Sequence, residues 1–493
     1  MEHPTPGPFE TKLSGYVEWC VLALAAAILL VAGSYKLSEA PAVWFDEGIY
    51  SQAAMNLAEH GTQQLQTAPG TFISNSYLTV GYPLFFPVSI SYRLFGVGVW
   101  QGRAVMMLFI LAFAAASYAL VRMLFGRWQA AWTLLLLATF PILYGNGKPV
   151  LGEVPGMLFL VLTFIALLIL ERSNFRNIWA YLGSGFAAGL CIVTKPIFIL
   201  LLPALAVTWF IRRRTIKVHW GGFLLAITAF VLPVLLWAYI QFGGDGTLSK
   251  QLEYYLASPY PTNDKLGRAI TNFLQFFTQT TPLYTTVTIV LWSVSMFIRK
   301  RKGVLISIVE LLMLLFCFFI LGAYLRIEGW YRYFFPAQMT ALLFLPYSIT
   351  LIFHYISGKV FWLRKAPWIP YVVLSLLVTM QAYQLAHDSY VAGYYQSHAT
   401  ADLYAKLGSL GPQSSFFLAN APEIAMFLPS RNYYQYINAA PDLILGADQI
   451  PMLVEGKTDY AIASSDTYKN NLEFFKNYSL AFVVGKYDLF KRK

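Results

Sequence analysis

Charge is scarce in this 493-residue chain. Only 12% of its residues are Asp, Glu, Lys or Arg, against about a quarter in soluble domains, while 57% are hydrophobic. With a mean hydropathy of +0.55, that deficit excludes a water-soluble protein. Cysteine is almost missing. Cys20, Cys191 and Cys317 each sit in an apolar stretch without metal spacing, which excludes a disulfide framework and leaves packing as their role. His60, His219, His354, His387 and His398 share no ligand spacing either, so no metal site is read from them. Internal repeats and low-complexity segments are lacking. The net charge of +11 does not point to nucleic acid, because most basic residues stand in short clusters between apolar runs.

What is abundant is apolar sequence in lengths that suit a bilayer, where a helix needs about 20 residues to cross. Eleven spans are expected near 16–36, 100–121, 128–145, 153–170, 178–194, 196–211, 218–242, 281–298, 304–323, 333–355 and 367–387. The first, with Val17–Val31 at its centre, follows a poorly basic tail and leads to no good cleavage site, so it is read as an uncleaved span. Alternate short loops are basic: Arg122 and Arg127; Arg172 and Arg176; Arg212, Arg213, Arg214 and Lys217; Arg299, Lys300, Arg301 and Lys302; Lys359, Arg364 and Lys365. These are expected to be cytoplasmic by the positive-inside rule. The other loops, 37–99, 146–152, 195, 243–280 and 324–332, and the tail after 388 then face outward, with the N-terminus cytoplasmic. Residues 81–96 are short, carry Pro83, Pro87 and Arg93, and are expected as a helix in the outer interface rather than a span.

Two domains follow: a transmembrane domain over 1–387 and an extracytoplasmic α/β domain over 388–493. In the latter, strands are expected at Ser414–Asn420, Asp459–Ser465 and Ser479–Gly485 and helices at Thr400–Leu410 and Asp466–Asn477. The stretch Asn432–Tyr436 suits either a glycan contact or a strand edge.

Ionisable residues at membrane depth are costly, so each one is a functional candidate. Asp46, Glu47, Lys148, Glu153, Lys195, Arg326, Glu328 and Arg332 all map to the outer face; Glu310, inside the ninth span, is the exception and reads as a packing residue. An outer-face cluster of carboxylates and cations suits transfer of a sugar from a lipid phosphate. Cations hold the departing phosphate and a carboxylate takes the proton of the attacking hydroxyl or amine. Each residue also has a plainer role open to it. Asp46, Glu47 and Glu153 sit where acids cap helices, Lys195 before Pro196 suits an interfacial anchor, Arg332 suits a brace to Glu328, and Arg103 suits packing of the interfacial helix. A polyprenyl-linked sugar transporter, or a non-catalytic subunit of an envelope-glycan assembly, are the alternatives at the level of the whole chain.

The motifs resemble the GT-C glycosyltransferase superfamily, in its protein O-mannosyltransferase and aminoarabinose-transferase branch. The resemblance rests on WFDEG (44–48) with the helix after it, GYPLFF (81–86), Arg103 in GRAV, KPVLGEVP (148–155), GLCIVTKPIFILLLP (189–203) and YRYFFPAQM (331–339), all in order. It implies a polytopic helical membrane fold of about 11 spans with a small C-terminal domain, at the plasma membrane. It implies an inverting transfer from a polyprenyl-phosphate sugar to a glycan, lipid or protein acceptor. Asp46 would be the general base, Glu47 would shape the site, and Glu153 would be the second acid. Lys195, Arg332, Tyr331, Arg268 and Lys148 would serve the donor phosphate. No cofactor is expected to be required, although a carboxylate pair would equally bind a divalent metal. One departure stands out: no Lys or Arg occurs between Asp46 and Arg93, where aminoarabinose transferases carry a phosphate-binding lysine. This argues against that particular activity and shifts phosphate binding to the later loops.

Overall fold

The computed structural model describes residues 13–74, 78–216, 218–242, 264–440 and 443–493. The N-terminal tail, Lys217 and residues 243–263 of the expected outer loop lie outside the described residues. Every expected apolar stretch is a helix. In chain order these are α1 (Leu13–Ser34), α4 (Val99–Phe125), α5 (Arg127–Thr139) with α6 (Pro141–Gly147), α7 (Glu153–Arg172), α8 (Ile178–Thr194), α9 (Leu201–Arg212), α10 (Trp220–Phe242), α12 (Thr280–Arg301), α13 (Ile308–Tyr324), α14 (Phe335–Leu342) with α15 (Leu345–Ser357), and α16 (Ile369–His387). Two of them are broken, by 62° between α5 and α6 and by 49° before α15. Pro141 and Pro346 open the second halves, where the ring fixes φ and the missing N–H costs nothing at a helix start. Among the described residues five helices are long and apolar enough to cross a membrane, or seven with each broken pair taken as one, and four shorter apolar helices accompany them.

The bundle core is aliphatic and aromatic, with Phe113, Phe164, Trp292, Phe198 and Phe316 fully buried. Glycine sets its tightest contact. A Cβ at Gly185 or Gly189 of α8 would lie 2.0 or 2.6 Å from a carbonyl oxygen of α10, so only glycine permits the two helices to approach this closely. Glu310 of α13 pairs with Arg299 of α12 and accepts from Trp292 Nε1 at 3.1 Å, a bracing role inside the bundle.

The first expected outer loop holds α2 (Phe45–His60), a hairpin of β1 (Leu65–Ala68) and β2 (Thr71–Ile73), and α3 (Tyr82–Phe95). At 1.5 Å per residue the 14 residues of α3 reach only about 21 Å, short of a bilayer core. Its exposed Phe86, Ile90 and Leu94, four residues apart, form one apolar stripe. Another amphipathic helix, α11 (Lys265–Thr278), exposes Leu266, Ile270, Phe273, Leu274 and Phe277 and is fastened by Asn272 Nδ2 to the carbonyls of Tyr324 and Ile327, at 3.0 and 2.7 Å.

The C-terminal region starts with α17 (Ala399–Gly408) and forms a six-stranded sheet in the order β5-β4-β3-β6-β8-β7. The strands are β3 (Phe416–Ala419), β4 (Tyr433–Ala440), β5 (Leu443–Leu445), β6 (Tyr460–Ser464), β7 (Tyr478–Val484) and β8 (Tyr487–Arg492). Strand β3 runs parallel to β4 and β6, and β8 is antiparallel to β6 and β7. The helix expected over 466–477 is shorter, a turn at Ser465–Asn470 followed by a 3-10 turn at Leu472–Phe475, and Asn471 between them leaves helical geometry. Asn432–Tyr436 enters an inner strand rather than an edge, with Tyr433 and Gln435 fully buried.

This region is docked on α2. The side chains of Gln52 and Gln435 exchange amide hydrogen bonds at 3.1 and 2.9 Å, and Gln52 also donates to the Pro422 carbonyl at 2.6 Å. Glu39 accepts from the N–H groups of Thr400 and Ala401, both at 2.9 Å, capping α17 from the far end of the sequence. Arg431 grips Glu59 through two bonds of 2.9 and 2.7 Å. At Gly48 a Cβ would lie 2.3 Å from the Glu423 nitrogen. Gly48→Ala should therefore prise α2 from the 422–427 turn at a cost of about 1–3 kcal/mol, read as a lowered thermal midpoint and faster proteolysis of the C-terminal region.

Candidate active site

Two neighbouring carboxylates at the start of α2 have opposite fates, because successive helical residues point about 100° apart. Glu47 turns inward and is 1% exposed. The Arg103 guanidinium, on α4, meets both of its oxygens at 2.7 Å, and Glu47 Oε1 also accepts from the Val150 N–H at 3.2 Å. Arg103 spends its remaining donors on the carbonyls of Leu37 and Pro41, at 2.9 and 2.8 Å. The plainer role anticipated for Arg103 thus extends to holding Glu47. With both oxygens engaged and no solvent access, Glu47 positions the first turn of α2 and has no free acceptor face.

Asp46 turns the other way, its side chain 24% exposed, and pairs with Arg332. Arg332 is carried by the 3-10 turn Tyr331–Phe334 that leads into α14. Its guanidinium lies 4.9, 5.0 and 5.2 Å from the ring centroids of Trp44, Trp330 and Tyr333, a seat of three aromatic rings that favours a cation. Burial opposes the charge, but Asp46, Tyr333 and Glu153 outweigh it and hold the guanidinium above its ordinary range.

A second pair lies within electrostatic reach. Glu153 at the N-terminus of α7 meets Lys195 at the end of α8, both buried. The tip of α8 is fixed by the Gly81 N–H, which donates to the Thr194 carbonyl at 3.2 Å. Burial pushes the Lys195 ammonium down, Glu153 pulls it back, and Arg332 and Asp46 add opposing contributions, so the four charges form one electrostatic unit. Among the described residues Glu153 Oε2 and Arg332 Nε find no hydrogen-bond partner. Tyr50, one turn after Asp46, bonds to Thr79 Oγ1 at 2.7 Å; its phenol is raised far above its ordinary value, by burial first and by Asp46 second.

The remaining sequence candidates disperse. Lys148 is fully buried and donates to the Tyr35 carbonyl at 2.7 Å, away from solvent. Burial, with help from Arg103, brings its amine down to about 7. Arg268 pairs with Glu328 at 2.7 Å and so supports the turn that carries Arg332. The expected brace is therefore made by Arg268 rather than Arg332. Tyr331 is 39% exposed and packs its ring on Phe334. The N-cap positions of α2 and α7 are Trp44 and Gly152, so Asp46 and Glu153 stand inside the first turns, where their carboxylates pair with Arg332 and Lys195. Trp44, Tyr50 and Trp330 carry no assigned role in the sequence reading, and Tyr333 enters it only within the aromatic tract Tyr331–Phe335, which suits an interface belt or a sugar platform. Tyr50 had a usable signal, four residues after Asp46 on one helix face; the aromatic seat, drawn from two distant segments, had none. Among the described residues no group of three His, Cys, Asp or Glu side chains converges.

An apolar helical bundle thus carries paired acids and cations on its loop face, with a small sheet docked beside them. Residues 83–237 match the dolichyl-phosphate-mannose-protein mannosyltransferase family, a segment that includes Arg103, Lys148, Glu153 and Lys195. The chain is similar to ArnT from Cupriavidus metallidurans bound to undecaprenyl phosphate, with 14% identity, a TM-score of 0.65, and 97% of this chain and 98% of ArnT covered. It is also similar to the Archaeoglobus fulgidus oligosaccharyltransferase in its apo form, with 11% identity, a TM-score of 0.60, and 93% and 71% covered. No curated protein matches it by sequence. The chain has the GT-C fold that these structures share.

Two outcomes test the scaffold. Arg103→Ala would strand the Glu47 carboxylate in the interior and should cost about 3–5 kcal/mol, read as a thermal-shift loss or failure to accumulate folded protein. Lys148 binds its proton more weakly when folded than when unfolded, so the unfolded state holds more protons between about pH 7 and 10. Stability should therefore rise with pH across that window, and Lys148→Met should flatten the rise in detergent melts taken at several pH values.

Proposed function

We propose that this chain is an inverting glycosyltransferase that moves a sugar from a polyprenyl-phosphate donor to a hydroxyl or amine on the extracytoplasmic face. The observation that carries this reading is the joined quartet Asp46–Arg332 and Glu153–Lys195 on one rim of a GT-C fold. Asp46 is the carboxylate of the quartet that keeps part of its solvent exposure, so it is the general base. It takes the acceptor proton as the acceptor oxygen or nitrogen attacks the anomeric carbon. The bond from that carbon to the phosphate oxygen breaks, and the lipid phosphate leaves with the electron pair. Arg332 and Lys195 neutralise the charge that gathers on the phosphate. Glu153 orients Lys195, and its unpartnered Oε2 offers an acceptor to a sugar or acceptor hydroxyl. Glu47, Lys148 and Arg268 keep the three contributing segments in place.

The donor class finds support in the neighbours: the ArnT structure holds undecaprenyl phosphate, and the archaeal AglB structure holds dolichol-phosphate with an inhibitory peptide. The eleven apolar stretches act as spans in a multi-pass plasma membrane protein, with basic loops and N-terminus cytoplasmic and residues 388–493 as an outer domain. The unusual residues then share one side, where a bilayer-anchored donor presents its sugar. The two cation pairs make a divalent metal unnecessary for holding the phosphate. Acceptors of the glycan, lipid or protein class all provide the nucleophile this site requires.

Asp46→Asn should lower transfer by about 10²–10⁴-fold, as expected for loss of a general base, without loss of polyprenyl phosphate binding. The assay is release of polyprenyl phosphate from labelled donors, paired with mass spectrometry of envelope lipids and glycoproteins in cells with and without the gene. Near-normal turnover by the variant would overturn the assignment of the base.

A further inference from the structure

We infer that the resting site is locked: Arg332 masks the base Asp46, and a lipid phosphate must draw Arg332 away before Asp46 can accept a proton. This rests on the proposed roles of Asp46 and Arg332. The contact itself supplies the motive. Asp46 is half of an ion pair whose cation is seated among Trp44, Trp330 and Tyr333. The guanidinium sits on Asp46 Oδ2, so that oxygen cannot take the acceptor's proton while the pair persists.

Three features make the pair exchangeable rather than structural. Its side chains keep 16% and 24% of their exposure, whereas Glu47 and Arg103 keep 1% and 0%. A partly wet pair is cheap to break; a buried one is not. Arg332 Nε finds no protein acceptor among the described residues, so part of the guanidinium fork is uncommitted, and a phosphate accepts two parallel bonds from such a fork. The neighbouring Lys195 has Glu153 as its own partner, and Glu153 Oε2 is likewise unused. The donor's phosphodiester, a single anion until the sugar leaves it, competes with both carboxylates when it arrives between Arg332 and Lys195. The aromatic seat keeps the guanidinium nearby while it changes partner, since ring faces attract a cation without fixing which anion it pairs with. The consequence is an order of events: donor first, acceptor deprotonation second. In the donor-free enzyme the base stays shielded.

The test is binding of undecaprenyl phosphate to the full-length protein in nanodiscs. Arg332→Gln should weaken binding. Asp46→Asn should tighten it by roughly three- to tenfold, because Arg332 no longer has to leave a partner; Asp46→Ala is a second variant for the same comparison. In the double variant Asp46→Asn with Arg332→Gln the tightening should vanish, which separates release of Arg332 from a general loss of negative charge near Lys195. If Arg332→Gln weakens binding but the Asp46 variants bind no more tightly, the lock is overturned and the phosphate role of Arg332 stands. Tightening that persists in the double variant also overturns the lock. If Arg332→Gln leaves affinity unchanged, both the lock and that role fall.

Discussion

Everything at the rim depends on the buried union of Glu47 with Arg103. An unpaired charge in that interior would cost several kcal/mol, so neither side chain can leave the other. Because Glu47 also accepts from Val150 and Arg103 also donates to Leu37 and Pro41, one ion pair ties together the approach to α2, helix α4 and the segment before α7. Asp46 is the next residue along. Its direction is therefore set by a contact in which it takes no part, and through Val150 the same contact ties it to the segment that leads into α7.

The C-terminal region holds α2 from the opposite side. The reciprocal amide pair of Gln52 and Gln435, the cap that Glu39 gives α17 and the fork of Arg431 on Glu59 are all contacts across more than 350 residues of sequence. The first two satisfy buried polar groups that would otherwise be stranded at the interface. The sheet thus acts as a brace for the helix that carries Asp46, and Gly48 records how closely the two are pressed. On the third side, Asn272 and Arg268 of α11 stabilise the turn that delivers Arg332. The apolar stripe of α11 would lie against the lipid surface in the proposed orientation, so the turn is supported where the donor would arrive.

The sorting of acids and bases shows a division of labour. Pairs without solvent, Glu47–Arg103 and Glu310–Arg299, serve architecture. The pair that keeps some solvent, Asp46–Arg332, is the one able to exchange partners. Lys195–Glu153 falls between these classes, buried yet with one carboxylate oxygen unused. Partial exposure, rather than residue type, sets Asp46–Arg332 apart from the other three pairs.

Sequence alone determined the helical architecture, because the expense of exposing backbone and apolar side chains to the wrong solvent makes twenty-residue apolar runs hard to misread. It also assembled Asp46, Glu153, Lys195 and Arg332 as candidates, since charge is rare enough here that each instance needs a reason. Strands of the C-terminal sheet were partly legible; β8, whose YDLFKR lacks a period-two pattern, was not anticipated, and Asn432–Tyr436 lies in an inner strand because β5 pairs with the continuation of that strand at Ile437–Ala440. Only the tertiary structure decided which charges meet. Pairing depends on side-chain direction and on segments as far apart as Asp46 and Arg332, and periodicity carries no information about contacts across that distance. For the same reason the fold alone divided Asp46 from Glu47: two adjacent acids, identical in local pattern, separated by the helical turn that sends one to Arg103 and the other to the open rim.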